Sequence, residues 1–227
     1  MNGDSISPTL TLGGGASGRD LLTWNVTGKI INFSNNNVNM ERALSDIKTM
    51  VESSYQGVVN GQDVNFNFDF SIAETMEDVS IGDHLIVLGE GKNNKIPGAS
   101  IRLGGKVAII DADYFTGPYD VYIGEEGERT SAHELGHLFS LSHSSGGGDR
   151  NNLMTQGRAE HRGNEITSSQ LGIIAGAYKR GTLNLGLNYN SQGLPNLGIA
   201  GQVFRMTNTG GKSLSRSTLT RRYLDRY

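Results

Sequence analysis

The spacing of apolar residues predicts alternating strands and helices over the first half of the chain. Residues 22–33 mix apolar and β-branched residues, and residues 64–72 alternate between apolar and polar, so both segments predict strands. Between them, Asn39 precedes an apolar stripe at helical spacing, which predicts a helix capped by that asparagine. The apolar run at residues 84–88 predicts a short central strand. The stripe consists of Met40, Ala43, Leu44, Ile47, Val51 and Tyr55.

The second half of the chain carries a hairpin signal and two further helix signals. Residues 100–103 and 106–111 flank a Gly-Gly pair, which predicts a β-hairpin with a primed turn. Residues 113–128 predict an acidic loop, and a helix is expected from about Ser131 onwards. A later helix should begin at the capping box of Thr167 and Gln170 and end at Gly181.

Composition divides the chain into three parts. Residues 1–19 are rich in Gly, Ser and Thr and predict a flexible leader. Residues 20–181 predict the main domain, and residues 182–227 a basic extension without a clear pattern. With 227 residues, of which 36% are hydrophobic, the chain is long enough to bury the core of one domain, and we expect a monomer.

Charge is distributed unevenly along the chain. Residues 1–178 hold 12 basic and 22 acidic groups, a net charge of −10, whereas residues 179–227 hold 8 basic and 1 acidic, a net charge of +7. The basic end has few aromatic residues, so it predicts a solvated tail on an acidic body and no nucleic-acid partner.

Several classes of protein are disfavoured by what the sequence lacks. The chain has no cysteine, which excludes disulfides and a cysteine-ligated metal site. No stretch approaches the roughly 18–20 apolar residues of a membrane helix, so no membrane association is expected. The first residues also lack the basic and apolar regions of a secretory signal peptide.

The segment HELGHLFSLSH at residues 133–143 predicts a zinc centre. His133 and His137 lie four apart and project from one face of a helix, so both imidazoles can reach one ion. His143 follows six residues later and completes a set of three protein ligands, which leaves Zn²⁺ an open position for water. Glu134 is directed toward the same ion and is the candidate general base.

The same residues also permit a purely structural interpretation. Ser131 and Glu134 fit a capping box, and a leucine stripe (Leu135, Leu138 and Leu141) could face an ordinary core. The metal interpretation is favoured because a third histidine stands at ligand spacing as well.

This motif, together with the later Asn-Leu-Met-Thr-Gln around Met154, resembles the metzincin clan of zinc endopeptidases over roughly residues 22–181. The resemblance implies an α+β fold with a twisted mixed sheet of about five strands, an antiparallel edge strand, an active-site helix and a C-terminal helix. It implies that one catalytic Zn²⁺ is held by the three histidines, that Glu134 is the general base, and that Met154 lies in the Met-turn. A protein or peptide substrate would then lie along the edge strand near residues 100–111. As an alternative, Met154 is a plain core residue.

Two positions differ from the family pattern. Ser140 stands where the family has glycine, although the chain must turn back there for His143 to reach the metal. A serine in the left-handed conformation should be strained by about 1 kcal/mol. Gln156 stands where some relatives have a tyrosine, so any contribution of that hydroxyl must be missing or come from elsewhere.

Other charged or imidazole groups have alternative interpretations. Glu160 or Glu165 would be the third ligand if His143 could not reach the metal. His84 is expected to be a core histidine, and His161 to be solvated.

In two alternative interpretations of the sequence, a metal ion only stabilises the fold. Asp111, Asp113 and Asp120 could offer oxygen ligands to a structural Ca²⁺, but their spacing matches no calcium loop and favours an acidic surface loop. In the second, zinc only stabilises a non-catalytic binding module, which would require a fourth protein ligand.

A weaker resemblance concerns the context of the domain. Asn2-Gly3-Asp4 and the segment at residues 111–113 look like protease domains at the ends of bacterial Rhs-type polymorphic toxins. This resemblance implies a toxin effector that is secreted or delivered out of a bacterial cell as part of a larger protein. A cognate immunity protein would be its partner.

Overall fold

The computed structural model describes residues 6–80, 82–91, 96–116, 124–144, 151–155, 163–185 and 199–205, with the backbone alone at residues 124–126 and 205. The strands are β1 Ile6–Thr11, β2 Leu21–Asn32, β3 Gly57–Val59, β4 Gln62–Ala73, β5 His84–Gly91, β6 Gly98–Ser100, β7 Val107–Asp111 and β8 Phe204–Arg205. The helices are α1 Met40–Ser54, α2 Gly124–Leu138, α3 Ser168–Lys179 and α4 Ala200–Val203, with 3-10 turns at Met76–Asp78 and Ala112–Phe115.

The strands form one mixed sheet in the order β3-β4-β2-β5-β7-β6. Strands β4, β2, β5 and β7 are parallel to their neighbours, and β3 and β6 run antiparallel at the two ends. The expected α+β class and the antiparallel edge strand are therefore present. The sheet is larger than the expected five strands: the order above contains six, and β1 and β8 add short antiparallel pairs to β2 and β5.

Strand β1 corrects the prediction that residues 1–19 are a flexible leader. Residues 6–11 pair with the first half of β2, from Ile6 opposite Val26 to Thr11 opposite Leu21. Ile6 is completely buried in the main core, and this burial anchors the strand. The sequence concealed it because one buried isoleucine stands in a segment otherwise rich in turn-forming residues.

Helix α2 begins seven residues earlier than the sequence predicts. It starts at Gly124, so Ser131 lies inside the helix, where its Oγ donates to the carbonyl of Gly127. The capping-box interpretation of Ser131 and Glu134 is therefore wrong. The acidic loop expected at residues 113–128 is instead partly a 3-10 turn and partly helix.

The hairpin at residues 98–111 has a longer connection than predicted. Strands β6 and β7 pair antiparallel from Gly98 opposite Ile110 to Ser100 opposite Ala108, and six residues join them instead of a two-residue primed turn. Gly104 in this connection has a positive φ of 69°, and its N–H donates to the carbonyl of His137. The hairpin loop thus contacts the C-terminal end of α2.

Apolar residues are buried on both faces of the sheet. Helices α1, α2 and α3 cover one face, and α4 and Phe204 pack against the other. The central strands β5 and β7 contribute alternate residues to each face, which is why they are almost continuously apolar. Part of the predicted C-terminal extension, residues 199–205, therefore belongs to the packed structure. No helix in the described ranges has the length and apolar character needed to cross a membrane.

Helix α1 begins as the sequence predicts, and this generates the first test. The Asn39 side chain accepts a hydrogen bond of 3.0 Å from the N–H of Arg42. Asn39→Ala should lower the free energy of unfolding by about 1 kcal/mol, because it removes this cap. Urea denaturation followed by circular dichroism measures the change. Asn37→Ala, at an exposed asparagine two residues earlier, should change it by less than about 0.5 kcal/mol. Equal effects of the two variants would contradict the capping role.

Candidate metal centre

Three histidines converge at the C-terminal end of α2. His133 and His137 lie one turn apart on the helix, with ring centroids 4.9 Å apart. His143 follows the helix, and its ring lies 5.2 Å from that of His133 and 4.6 Å from that of His137. One nitrogen from each ring lies within 4.8 Å of the others, close enough for one ion. Within the described residues, these three histidines form the cluster of metal-ligating side chains that could hold an ion.

The chain reaches His143 through a turn at Ser140. The N–H of Leu141 donates to the carbonyl of Gly136 and the N–H of Ser140 to that of His137, which is the Schellman pattern of a helix end. Ser140 occupies the left-handed position of this motif with φ of 68°. The predicted reversal at Ser140 is therefore confirmed, and so is the strained conformation of this serine.

Backbone carbonyls fix the orientation of two of the three imidazoles. His133 Nδ1 lies 2.8 Å from the carbonyl oxygen of Leu153, and His137 Nδ1 lies 2.6 Å from that of Leu141. A carbonyl oxygen can only accept, so each Nδ1 carries the proton and each Nε2 presents a lone pair. His137 Nε2 and His143 Nε2 are 3.1 Å apart.

Burial favours the neutral form of all three histidines. Burial lowers the pKa of His133 to about 3, and burial also lowers the pKa values of His137 and His143. The neighbouring imidazoles and Arg129 lower the pKa of His133 further, because positive charges repel one another. Neutral imidazole is the form that binds a metal ion.

Glu134 lies beside His133 on α2 and is largely buried. Burial raises the pKa of its carboxyl group to about 7, while hydrogen bonds from the backbone N–H and hydroxyl of Ser100 act in the opposite direction. A carboxyl group whose pKa lies near neutrality is suited to general acid–base chemistry.

Met154 packs against α2 at Gly136. Its side chain is fully buried, and a Cβ atom added at Gly136 would collide with its sulfur. The N–H of Met154 donates to Asn152 Oδ1 at 2.8 Å, and its carbonyl accepts from the N–H of Ser144. Met154 is thus part of the core, and its role as a Met-turn residue stays a prediction.

Sequence reasoning missed three side chains that hold the Met154 segment in place. Arg129 donates to the carbonyl of Leu153, the same oxygen that accepts from His133. Asn152 and Gln170 form a reciprocal amide pair, with N···O distances of 2.7 and 3.1 Å. Gln170 was identified only as part of the capping box of α3, which the structure confirms.

The other candidate groups that the structure describes do not join this cluster. His84 is buried in β5, as expected of a core histidine, with its ring edge-on to Phe139 at 5.7 Å. Glu165 is exposed, and the candidates Glu160 and His161, like Gln156, lie outside the described residues.

The proposed calcium ligands form an internal hydrogen-bonded arrangement. Asp111 accepts from the N–H of Asp113, and Asn36 donates to the carboxylate of Asp113. Burial raises the pKa of Asp111, and Asp120 lies outside the described residues. Among the described residues, nothing supports a calcium site.

Comparison of the sequence with protein-family profiles and with curated proteins finds no match. Among solved structures, the chain is similar to an archaemetzincin from Methanopyrus kandleri, with 17% identity and a TM-score of 0.48 over 68% of this chain and 96% of that one. It is also similar to an archaemetzincin from Archaeoglobus fulgidus complexed with malonate, with 13% identity and a TM-score of 0.40 over 65% of this chain and 99% of that one. The chemistry of the site therefore rests on the residues of this chain.

The strain at Ser140 generates a test of the turn. Ser140→Gly should be more stable than Ser140→Ala by about 1 kcal/mol, because glycine adopts the left-handed conformation without a steric penalty. Both variants lose the hydroxyl, so their comparison isolates the backbone effect. Chemical denaturation of the two metal-free variants measures the difference. A more stable alanine variant would show that Ser140 is not left-handed in solution.

Proposed function

We propose that this chain is a zinc-dependent endopeptidase. The observation that carries the proposal is the convergence of three imidazoles, two of them oriented by backbone carbonyls, directly beside a buried glutamate. The metzincin-like motif in the sequence agrees with this assignment.

The donor set fits Zn²⁺. Three imidazole nitrogens are a common ligand set for catalytic zinc, and three protein ligands leave one position open. The carbonyls of Leu153 and Leu141 orient His133 and His137 in the manner that metal-binding histidines usually require. We therefore assign His133, His137 and His143 as the ligands.

The bound ion would polarise a peptide carbonyl and lower the pKa of its water to about 7. Glu134 would take a proton from the attacking water at a carboxylate oxygen and then deliver it to the leaving amine nitrogen. Its position next to His133 and its burial support this role, because proton transfer requires a fixed group with a pKa near neutrality.

The position of strand β6 supports the proposal that the substrate is an extended peptide. It is the terminal strand in the sheet order, and at Gly98 it packs beside Thr130 and Glu134 of α2, so the strand lies next to the proposed general base. An exposed strand edge binds an extended peptide through main-chain hydrogen bonds. Such binding does not require a terminus of the peptide to lie near the site. This arrangement favours an endopeptidase over an enzyme that recognises a terminus.

The non-catalytic alternative would require a fourth ligand to close the site. Within the part of the chain that the structure describes, the ligand group contains three histidines, and the neighbouring carboxylate of Glu134 bonds with Ser100. The geometry thus favours catalysis. The placement of this domain in an Rhs-type toxin, its delivery and its immunity partner stay predictions of the sequence resemblance.

Replacement of the general base provides the decisive test of catalysis. Glu134→Gln should retain about one zinc per chain but lower kcat for a generic protein substrate by about 10²–10⁴-fold, since the amide cannot accept the proton. Zinc analysis and a casein-cleavage assay measure the two quantities, and a chelator should abolish wild-type cleavage reversibly. A wild-type protein that holds zinc and cleaves nothing would favour the binding module.

The ligand assignment has a separate test. His143→Ala should weaken zinc binding by more than about 100-fold, because the loss of a residue that merely orients a ligand already costs about 10- to 100-fold. Competition with a fluorescent chelator measures the affinity. Glu165→Ala is the matched control and should leave the affinity unchanged. A loss of affinity in the Glu165 variant alone would make that glutamate the third ligand.

A further inference from the structure

Strand β6 directs the main-chain groups of Ser100 away from the sheet. Hydrogen bonds to β7 flank this residue on both sides. The N–H of Ile101 donates to the carbonyl of Val107, and the N–H of Asp111 donates to the carbonyl of Pro97. Ser100 lies opposite Ala108, between these bonded pairs. Because bonded and non-bonded pairs alternate in an antiparallel ladder, the N–H of Ser100 faces outward from the edge.

Glu134 occupies the space beyond that edge. Its carboxylate accepts hydrogen bonds from both the backbone N–H and the hydroxyl of Ser100. The two elements are packed tightly, since a Cβ atom added at Gly98 would lie 2.6 Å from Thr130 Cγ2 and 3.0 Å from Glu134 Cγ. The absence of a side chain at Gly98 therefore allows β6 to approach the helix closely enough for Ser100 to bond with the carboxylate.

Two donors on one residue restrain this carboxylate strongly. Glu134 is 6% exposed, and a buried carboxylate needs hydrogen bonds to remain charged and to keep one orientation. A carboxylate offers about four acceptor positions, so Ser100 occupies two and leaves the others free to take up a proton. Hydrogen bonds to a charged group are also stronger than those between neutral groups.

We propose that Ser100 is a positioning residue of the site, whose hydroxyl and backbone N–H together hold the Glu134 carboxylate in place for proton transfer. This inference rests on the proposed function, because it needs Glu134 to be the base. It assigns to the edge strand a part in catalysis that is separate from binding an extended substrate.

Hydrogen exchange tests the contact without any activity measurement. In the wild-type protein the Ser100 amide should be protected, and in Glu134→Ala it should exchange at least about tenfold faster, because its acceptor is gone. The amide of Ile101, which bonds to Val107, is the internal control and should exchange at the same rate in both proteins. Equal rates for Ser100 in the two proteins would overturn the proposal.

Kinetics test whether the contact positions the base. Ser100→Ala should lower kcat about tenfold, with KM changed less than about twofold and zinc still bound at about one per chain. Ser100→Thr keeps the hydroxyl and suits a strand, so it should recover kcat to within about twofold of wild type. Ser131→Ala removes a hydroxyl of α2 that donates to the carbonyl of Gly127 and should leave kcat unchanged.

The outcomes separate this inference from the proposed function. If the zinc-loaded wild type does not cleave protein, the proposed function fails, and the inference fails with it. If the wild type cleaves and Ser100→Ala has the same kcat, only the inference fails. A loss of kcat that threonine does not recover, or that accompanies loss of zinc, would also overturn it, because the hydroxyl would then not act through Glu134.

Discussion

The arrangement of the site depends on the reversal of the chain at Ser140. A continued helix would carry His143 away from His133 and His137, since six residues correspond to a rotation of about 240°. The left-handed serine ends the helix and returns the chain, and it places the carbonyl of Leu141 against His137 Nδ1. One backbone conformation thus delivers the third imidazole and orients the second. Its strain is offset locally by the two hydrogen bonds of the Schellman motif and by the bond from Gly104 to the carbonyl of His137.

The imidazoles are oriented by neutral groups. Backbone carbonyls, not carboxylates, accept from His133 and His137, so the buried histidines gain no counter-charge that would stabilise a protonated ring. Burial then favours the neutral form of all three imidazoles, which is the form that binds a metal. Arg129 strengthens the same effect, because its guanidinium shares the carbonyl of Leu153 with His133. Glu134 is the acidic group next to these rings on α2, and its pKa is set by burial and by Ser100.

A structural feature could be predicted from the sequence when its physical cause lies within a short segment of the chain. Asn39 and the Thr167–Gln170 capping box are local signals, and both begin helices as predicted. The spacing of the three histidines and the reversal at Ser140 were also accessible, because ligand spacing and helix geometry are properties of a short segment. The false capping box at Ser131 arose because the same residue types also occur inside helices, where a serine hydroxyl bonds to the preceding turn.

Contacts between segments that are far apart in the chain could not be predicted from the sequence. Nothing in the chain indicates that Asn152 pairs with Gln170, or that Ser100 contacts Glu134 across the boundary between sheet and helix. Strand β1 could not be predicted for the same reason, since it is defined mainly by its pairing with β2.

The precision of the site derives from close contacts around α2 more than from the metal-binding residues themselves. Tyr55 on the α1 side donates to the carbonyl of Ala132 at 2.7 Å, and burial raises the pKa of its hydroxyl, so it remains a donor. Met154 packs against Gly136 on the next turn, and β6 packs against Thr130 and Glu134 through Gly98. Two of these three contacts require the absence of a side chain, so a methyl group at either glycine would move the helix relative to its surroundings. The three histidines and the glutamate therefore keep their geometry because the helix that carries most of them is held from three directions.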